Sequence, residues 1–283
     1  MITKFPMTAF SLGACTDNGH MQGIDHYENF PVASWLCPAK WRPPIVAIYH
    51  FARTADDIAD EGDAPPEQRL AALRAYRTEL VSCYGQRLID SQWPQVFGPL
   101  AAAIAQHQLP AALLSDLLDA FEQDVIYTAE QKRYESRAEL LAYCAKSANP
   151  IGRLLLHLYQ VQDADALKES DAICSALQLI NFWQDRSQDM PRGRDYLPMG
   201  SDMRRELAFA QALMQQGMPL VRKLPGRIGW ELRLVIQGGW RILERLHTLS
   251  DNQLADPHTQ PRPKLQRLDV PLMLWRALTM PAR

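Results

Sequence analysis

The chain has 283 residues, with 30 Lys and Arg against 32 Asp and Glu, a formal net charge of −2, 47% hydrophobic and 22% charged residues. That length suits one large domain or two small ones, and the composition is ordinary for a globular protein. The near-neutral balance and the absence of a Lys/Arg stripe exclude a nucleic-acid-binding surface, and no apolar run reaches the roughly 18 residues needed to cross a bilayer.

Residues 1–24 read as a disordered or loosely attached leader. Leu12-Gly13-Ala14-Cys15 resembles a lipoprotein cleavage box, but only Lys4 precedes it and Pro6, Thr8 and Ser11 interrupt the apolar stretch. Arg42 to Glu61 reads as a largely apolar helix with Pro43 and Pro44 at its start. Pro65-Pro66 opens a second helix that runs to about Tyr84 and closes at Gly85. Pro110 opens another, with leucines at 113, 114, 117 and 118. Ser136-Arg137-Ala138-Glu139 is a capping-box signature, and the helix it starts should kink or break at Asn149-Pro150. A long helix covers about Ala164 to Asp189 and stops near Pro191. Asp202 caps the next, which ends at Gly217, and a last long helix covers about Ile228 to Leu249. Residues 250–268, with Pro257, Pro261 and Pro263, read as an exposed loop before a short terminal helix at Asp269. No segment shows strand alternation, and the linkers are short up to residue 250. The expectation is one all-α domain over residues 25–283. Five scattered cysteines without a CxxC pair fit a reducing cytoplasm.

Two acidic clusters carry the chemistry. The first is Asp56-Asp57-Ile58-Ala59-Asp60-Glu61; the second runs Asn181-Phe182-Trp183-Gln184-Asp185-Arg186-Ser187-Gln188-Asp189. Residues four apart share a helix face, so Asp56/Asp60, Asp57/Glu61 and Asp185/Asp189 form carboxylate pairs. Gln178 and Asn181 extend the last pair into a ladder. Both clusters follow apolar runs, where charge is costly unless paired or metal-bound. Carboxylates on facing helices suit Mg²⁺, which takes a few carboxylates and completes its shell with substrate phosphates. Arg53 stands one turn before Asp57, and Arg192-Gly193-Arg194 follows the second cluster. The plainer reading makes Arg53 an intrahelical ion pair. The functional reading has Arg53 and Arg194 grip diphosphate oxygens. Departure of a diphosphate would leave a carbocation, which needs apolar walls with aromatic faces. Phe30, Tyr49, Phe51, Phe182 and Trp183 are candidates for those walls. His26, His50, His107 and His157 lack metal-ligand spacing.

The motif Asp56-Asp57-x-x-Asp60-Glu61 after Tyr49-x-x-x-Arg53 resembles the first aspartate-rich motif of the squalene and phytoene synthase family. Gln178-x-x-Asn181-x-x-x-Asp185-x-x-x-Asp189, followed by Gly193-Arg194-Asp195-Tyr196-Leu197-Pro198, resembles the second. The resemblance spans roughly residues 25–250. Within the family, Glu28-Asn29-Phe30-Pro31-Val32 and Ser147-Ala148-Asn149-Pro150-Ile151-Gly152-Arg153 look most like the hydroxysqualene synthases of bacterial hopanoid pathways.

The resemblance implies an all-α isoprenoid-synthase fold with a central cavity. It implies Mg²⁺-bridged binding of a prenyl diphosphate through the catalytic residues Asp56, Asp60, Asp185 and Asp189, with Asn181 and Glu61 as further metal ligands. Asn29, Tyr49, Arg53, Gln178 and Arg194 would bind the substrate. Squalene synthases carry a tyrosine where this chain has Lys146, which fits a reaction ended by water. A register shifted by one turn puts Tyr143 there instead. Asn149, Lys146 and Ser147 are candidates to position that water. The implied substrate is presqualene diphosphate, with farnesyl diphosphate as the alternative if the reaction is a head-to-head condensation. No nicotinamide is expected. Apolar substrate and product imply a cytoplasmic protein in contact with the inner face of a membrane and with neighbouring pathway enzymes. A helical Mg²⁺-dependent nucleotide pyrophosphatase would also need facing carboxylates, and a non-catalytic scaffold would not need them at all.

Overall fold

The computed structural model describes residues 36–85 and 90–280, and every regular element among them is helical. A 3-10 turn at Ala39–Trp41 leads into α1 (Arg42–Asp60). Pro43 and Pro44 lie in its first turn, where backbone N–H groups have no intrahelical partner to lose. Ala47, Ile48, Phe51, Ala52, Ala55 and Ala59 recur at helical spacing and are buried. Beyond α1 the chain turns at Gly62, whose φ of +76° disfavours any side chain. Arg69 fastens this turn by donating to the carbonyls of Ile58, Gly62 and Ala64 at 3.2, 2.5 and 2.9 Å.

Three further helices, α2 (Pro66–Tyr84), α3 (Pro94–His107) and α4 (Ala111–Ala129), pack with α1 around Phe51, Tyr76 and Phe97. The Tyr76 hydroxyl donates to the Phe51 carbonyl at 3.0 Å. The sequence does not announce α3, because Gly98 and Pro99 interrupt its pattern. Burial of Val96, Phe97, Leu100, Ala103 and Ile104 outweighs those local penalties.

Next come α5 (Arg137–Ser147) and α6 (Asn149–Leu158), separated only by Ala148. The break therefore falls at Asn149-Pro150 as expected. The capping box at α5 is half formed. Ser136 accepts from the Glu139 N–H at 3.2 Å, but the Glu139 carboxylate takes the N–H of Glu135.

The long helix α7 (Ala164–Asp189) is capped by Asp163 and buried at every residue from Ser175 to Arg186. It packs against α5, α6 and four later elements, α8 (Met203–Gly217), α9 (Leu220–Lys223) and α10 (Gly226–His247) among them. Gly152 allows a close crossing, since a Cβ there would overlap Ser170 and Cys174 of α7. A helix enclosed on all sides leaves no solvated face for its polar residues, so each must be paired or used.

Residues 250–268 are largely exposed, but they are not a detached loop. Ser250 and Gln253 make a full capping box for α11 (Asp251–Ala255), and Leu254, Gln260 and Pro263 are buried. Prolines keep this segment out of regular structure, yet its backbone bonds directly to α7. Gln184 donates to the Pro263 carbonyl at 2.6 Å, and Arg186 donates to that of Leu254 at 2.8 Å. The chain then forms α12 (Asp269–Thr279), which lies on α10.

Candidate active site

The C-terminal half of α1 places the first cluster in two registers. Asp56 and Asp60 face inward, with side chains 5% and 15% exposed, while Asp57 and Glu61 face outward at 38% and 65%. Arg53 lies among them. It contacts Asp57 at 2.7 Å, Glu61 at 2.9 Å and Asp56 at 3.6 Å. Partial burial pushes the Asp57 carboxyl up, and Arg53 pulls against that shift. The plainer reading of Arg53 thus describes its present partners. One turn earlier, Tyr49 is half-buried with its ring edge against His50.

Beyond α7 a 3-10 turn at Met190–Arg192 ends at Gly193, whose φ of +77° turns the chain back towards α1. This turn delivers Arg194 to Asp60. The guanidinium grips the carboxylate with two parallel hydrogen bonds, one of 2.6 Å, and its Nε donates to Thr128 of α4 at 3.1 Å. Burial works against the charge of Arg194, but Asp60 more than offsets this and raises its pKa. Arg53, Asp56, Asp60, Glu61, Arg192 and Arg194 line one cavity of about 680 Å³. Arg192 is exposed there and makes no ion pair among the described residues.

On α7, Gln178, Asn181, Asp185 and Asp189 share one face, and all four are buried. Both polar atoms of Gln178 and of Asn181 lack a hydrogen-bond partner among the described residues. Asp185 is fully buried, and the guanidinium of Arg262 sits on it through Nε and Nη2. Arg262 comes from the segment read as a loop, so its role escaped the sequence. Among the described residues no three His, Cys, Asp or Glu side chains converge to hold an ion. The cavity thus takes the first cluster and Arg194 but none of the four α7 residues, and one aspartate of each cluster, Asp60 and Asp185, carries an arginine rather than standing open.

A second buried group also went unread. Asp124 of α4 accepts from the hydroxyls of Tyr143 at 2.5 Å and Tyr196 at 3.5 Å. Tyr196 stacks on Phe182 with centroids 3.9 Å apart, and Tyr134 and Tyr143 border the same ring. Of the five proposed aromatic walls, Phe182 joins this group and Phe51 is apolar core with Tyr76 and Phe97. Burial pushes the Asp124 carboxyl up to about 6, with Arg194 and Tyr143 pulling it down. The folded chain thus keeps this proton to a higher pH than the unfolded chain, whose aspartates titrate near ~3.9. Between those values the folded state binds more protons, so this group's contribution to stability is full below about pH 4 and is lost as pH rises through 6. Asp124→Asn is expected to remove that loss. Urea denaturation midpoints of the two proteins at pH 4 to 7 should diverge over that window and run parallel above it.

Beside the break between α5 and α6 the two candidate positions differ, with Tyr143 buried and Lys146 exposed. Lys146 points outward, 46% exposed, and pairs with Asp119 at 2.9 Å. It is no candidate for positioning water, since α5 turns its inner face at Tyr143 and Ser147. Ser147 is buried with its hydroxyl unpartnered among the described residues, and Asn149 accepts from Ser175 of α7 at 3.0 Å. Asn29 and Phe30, His26 and the 1–24 leader lie outside the described residues.

A family model described as squalene/phytoene synthase matches residues 25–206. The chain belongs to the squalene/phytoene synthase family. A hydroxysqualene synthase of Zymomonas mobilis is 38% identical over 174 residues, 60% of this chain and 54% of that one. A presqualene diphosphate synthase of Rhodopseudomonas palustris is 31% identical over 181 residues, 62% of this chain and 60% of that one. The match thus spans little more than half the length of these curated relatives. The crystal structure of squalene synthase HpnC from Alicyclobacillus acidocaldarius superposes with a TM-score of 0.70 at 32% identity, covering 82% of this chain and 91% of that one. The all-α squalene/phytoene synthase fold is therefore shared, and both acidic clusters lie within the matched region.

Proposed function

We propose that this chain converts presqualene diphosphate and water to hydroxysqualene and diphosphate, as a single synthase domain over residues 25–283. The observation that carries this reading is the arrangement of arginines on buried aspartates. Arg194 is seated on Asp60 and Arg262 on Asp185, an inward-facing carboxylate of each cluster. The likeness to a protein named hydroxysqualene synthase supports the choice of reaction.

The donor set suits Mg²⁺. Asp56, Asp60, Glu61, Asn181, Asp185 and Asp189 are all hard oxygen ligands, and the Asn181 oxygen is buried without a hydrogen bond. The inward-facing five, Asp56, Asp60, Asn181, Asp185 and Asp189, would hold the metal, while Glu61 points outward. When bound, Mg²⁺ would neutralise the diphosphate and make it a better leaving group. The chain's own part is to bind and orient. Arg53 and Arg194 bind diphosphate oxygens, with Tyr49 one turn before Arg53, and Arg192 adds an exposed guanidinium at the cavity wall. Phe182, with Tyr196 stacked on it, presents an aromatic border to the cation. Ser147, Asn149, Ser175 and Gln178 form a buried polar group beside the α5–α6 break, suited to hold the water that ends the reaction. The protein works in the cytoplasm at the inner face of a membrane. Among the described residues no helix is long and apolar enough to cross one.

The second reading is head-to-head condensation of two prenyl diphosphates, which the presqualene diphosphate synthase relative favours. Product analysis separates them. With presqualene diphosphate and Mg²⁺, hydroxysqualene is expected, with or without NADPH. Squalene formed only with NADPH, or presqualene diphosphate formed from farnesyl diphosphate alone, would overturn the first reading.

A further inference from the structure

The helix α12 has two apolar faces and uses only one of them. Met273, Ala277 and Met280 are buried where α12 packs on the rest of the fold. The opposite stripe is exposed: Leu274 at 39%, Trp275 at 65% and Leu278 at 63%, with Leu268 at 86% immediately before the helix. These positions follow helical spacing, so they form one outward surface rather than scattered apolar residues.

Cations flank this surface, and Glu244 of α10, which reaches Arg276 on the helix, is neutralised by it and by Arg241. Lys264 and Arg267 are exposed immediately before the helix. The acid within α12, Asp269, is buried and turned inward. It accepts from Arg241 at 2.7 Å and from Arg245 at 2.8 Å, and also takes the N–H of Gln266. Burial would raise its carboxyl, but these donors more than offset that and hold it below the usual range. The same clamp fixes the first turn of α12, so the apolar stripe is held rigidly outward. Nothing acidic on the helix opposes an anionic surface.

We infer that the outer face of α12 docks on an anionic lipid bilayer. An apolar stripe with a tryptophan and flanking cations is the chemistry of a helix that lies in the plane of a membrane surface. A second copy of the chain docked with its α12 parallel to this one would bring Lys264 and Arg267 close to their own counterparts, which like-charge repulsion opposes. The very apolar substrate proposed above gives a further reason for the contact, but the surface chemistry stands without that reading.

The test is binding, not turnover, so it fails independently of the reaction. Flotation of the full chain with vesicles of phosphatidylcholine containing 30% phosphatidylglycerol, about a physiological anionic share, should recover bound protein. Binding should fall with added salt and with vesicles of phosphatidylcholine alone. Trp275→Ser with Leu278→Asn should reduce the bound fraction at least about ten-fold, the size expected from losing two inserted apolar side chains. Lys264→Gln with Arg267→Gln should weaken binding chiefly at low salt. Both pairs should keep the wild-type thermal transition, because their side chains are solvent-facing. Wild-type protein that does not float, or Trp275/Leu278 variants that float equally well, would overturn the inference. So would a wild-type dimer in sedimentation that these variants convert to monomer.

Discussion

Arg262→Met is expected to destabilise the protein by about 3 kcal/mol, the cost of leaving a buried carboxylate short of its counter-charge. Asp185 is fully buried, and Arg262 supplies two of the hydrogen bonds that reach it. Urea denaturation read by circular dichroism should show the midpoint fall with an unchanged slope. Asp185→Asn combined with Arg262→Met should recover most of the loss, because a neutral amide carries no charge to strand. The non-additivity of this cycle distinguishes an ion pair from general damage to the segment. A Mg²⁺–pyrophosphate mixture should also narrow the gap between wild type and Arg262→Met. An unchanged midpoint in the single variant would mean that Asp185 is balanced by other groups.

Arg194→Ala is expected to lower kcat on presqualene diphosphate by about 10²–10³, the usual effect of removing one preorganised donor from a developing anion. Arg194 connects α1 and α4 beside the aromatic group. It grips Asp60, touches Thr128 and acts electrostatically on Asp124. Arg194→Lys should recover only part of the rate, since an ammonium carries the charge without the two-pronged geometry. The alanine variant should also raise the pKa of Asp124 further, because Arg194 is the leading influence pulling it down. NMR titration of the Asp124 carboxyl would read this. An Arg194→Ala enzyme with wild-type kcat would remove Arg194 from the diphosphate site.

The acidic clusters were legible because their information is local. Residues four apart on a helix must share a face, so Asp56 with Asp60, and Asn181 with Asp185 and Asp189, were paired by spacing alone. Proline and glycine marked most helix ends for the same reason, down to the one-residue break before Asn149. Two elements were illegible. The helix α3 carries Gly98 and Pro99 against its own propensity and is held by burial of Phe97 and Leu100. The segment 250–268 has the composition of a loop, but its carbonyls meet donors on α7 that lie more than sixty positions earlier.

The sequence by itself determined that the chain is all-helical, that it resembles the squalene/phytoene synthase family, and which carboxylates stand together on each helix. Only the tertiary structure decided how each helix is rotated about its own axis. That rotation puts Asp56 and Asp60 inside and Glu61 outside, turns Lys146 to solvent and Tyr143 to Asp124, and leaves Trp275 exposed. It also decided which distant cation reaches which acid, with Arg194 on Asp60 and Arg262 on Asp185. The physical reason is range. Helical periodicity acts over four residues, whereas rotation and ion pairing are set by the packing of surfaces that meet only once the chain has folded.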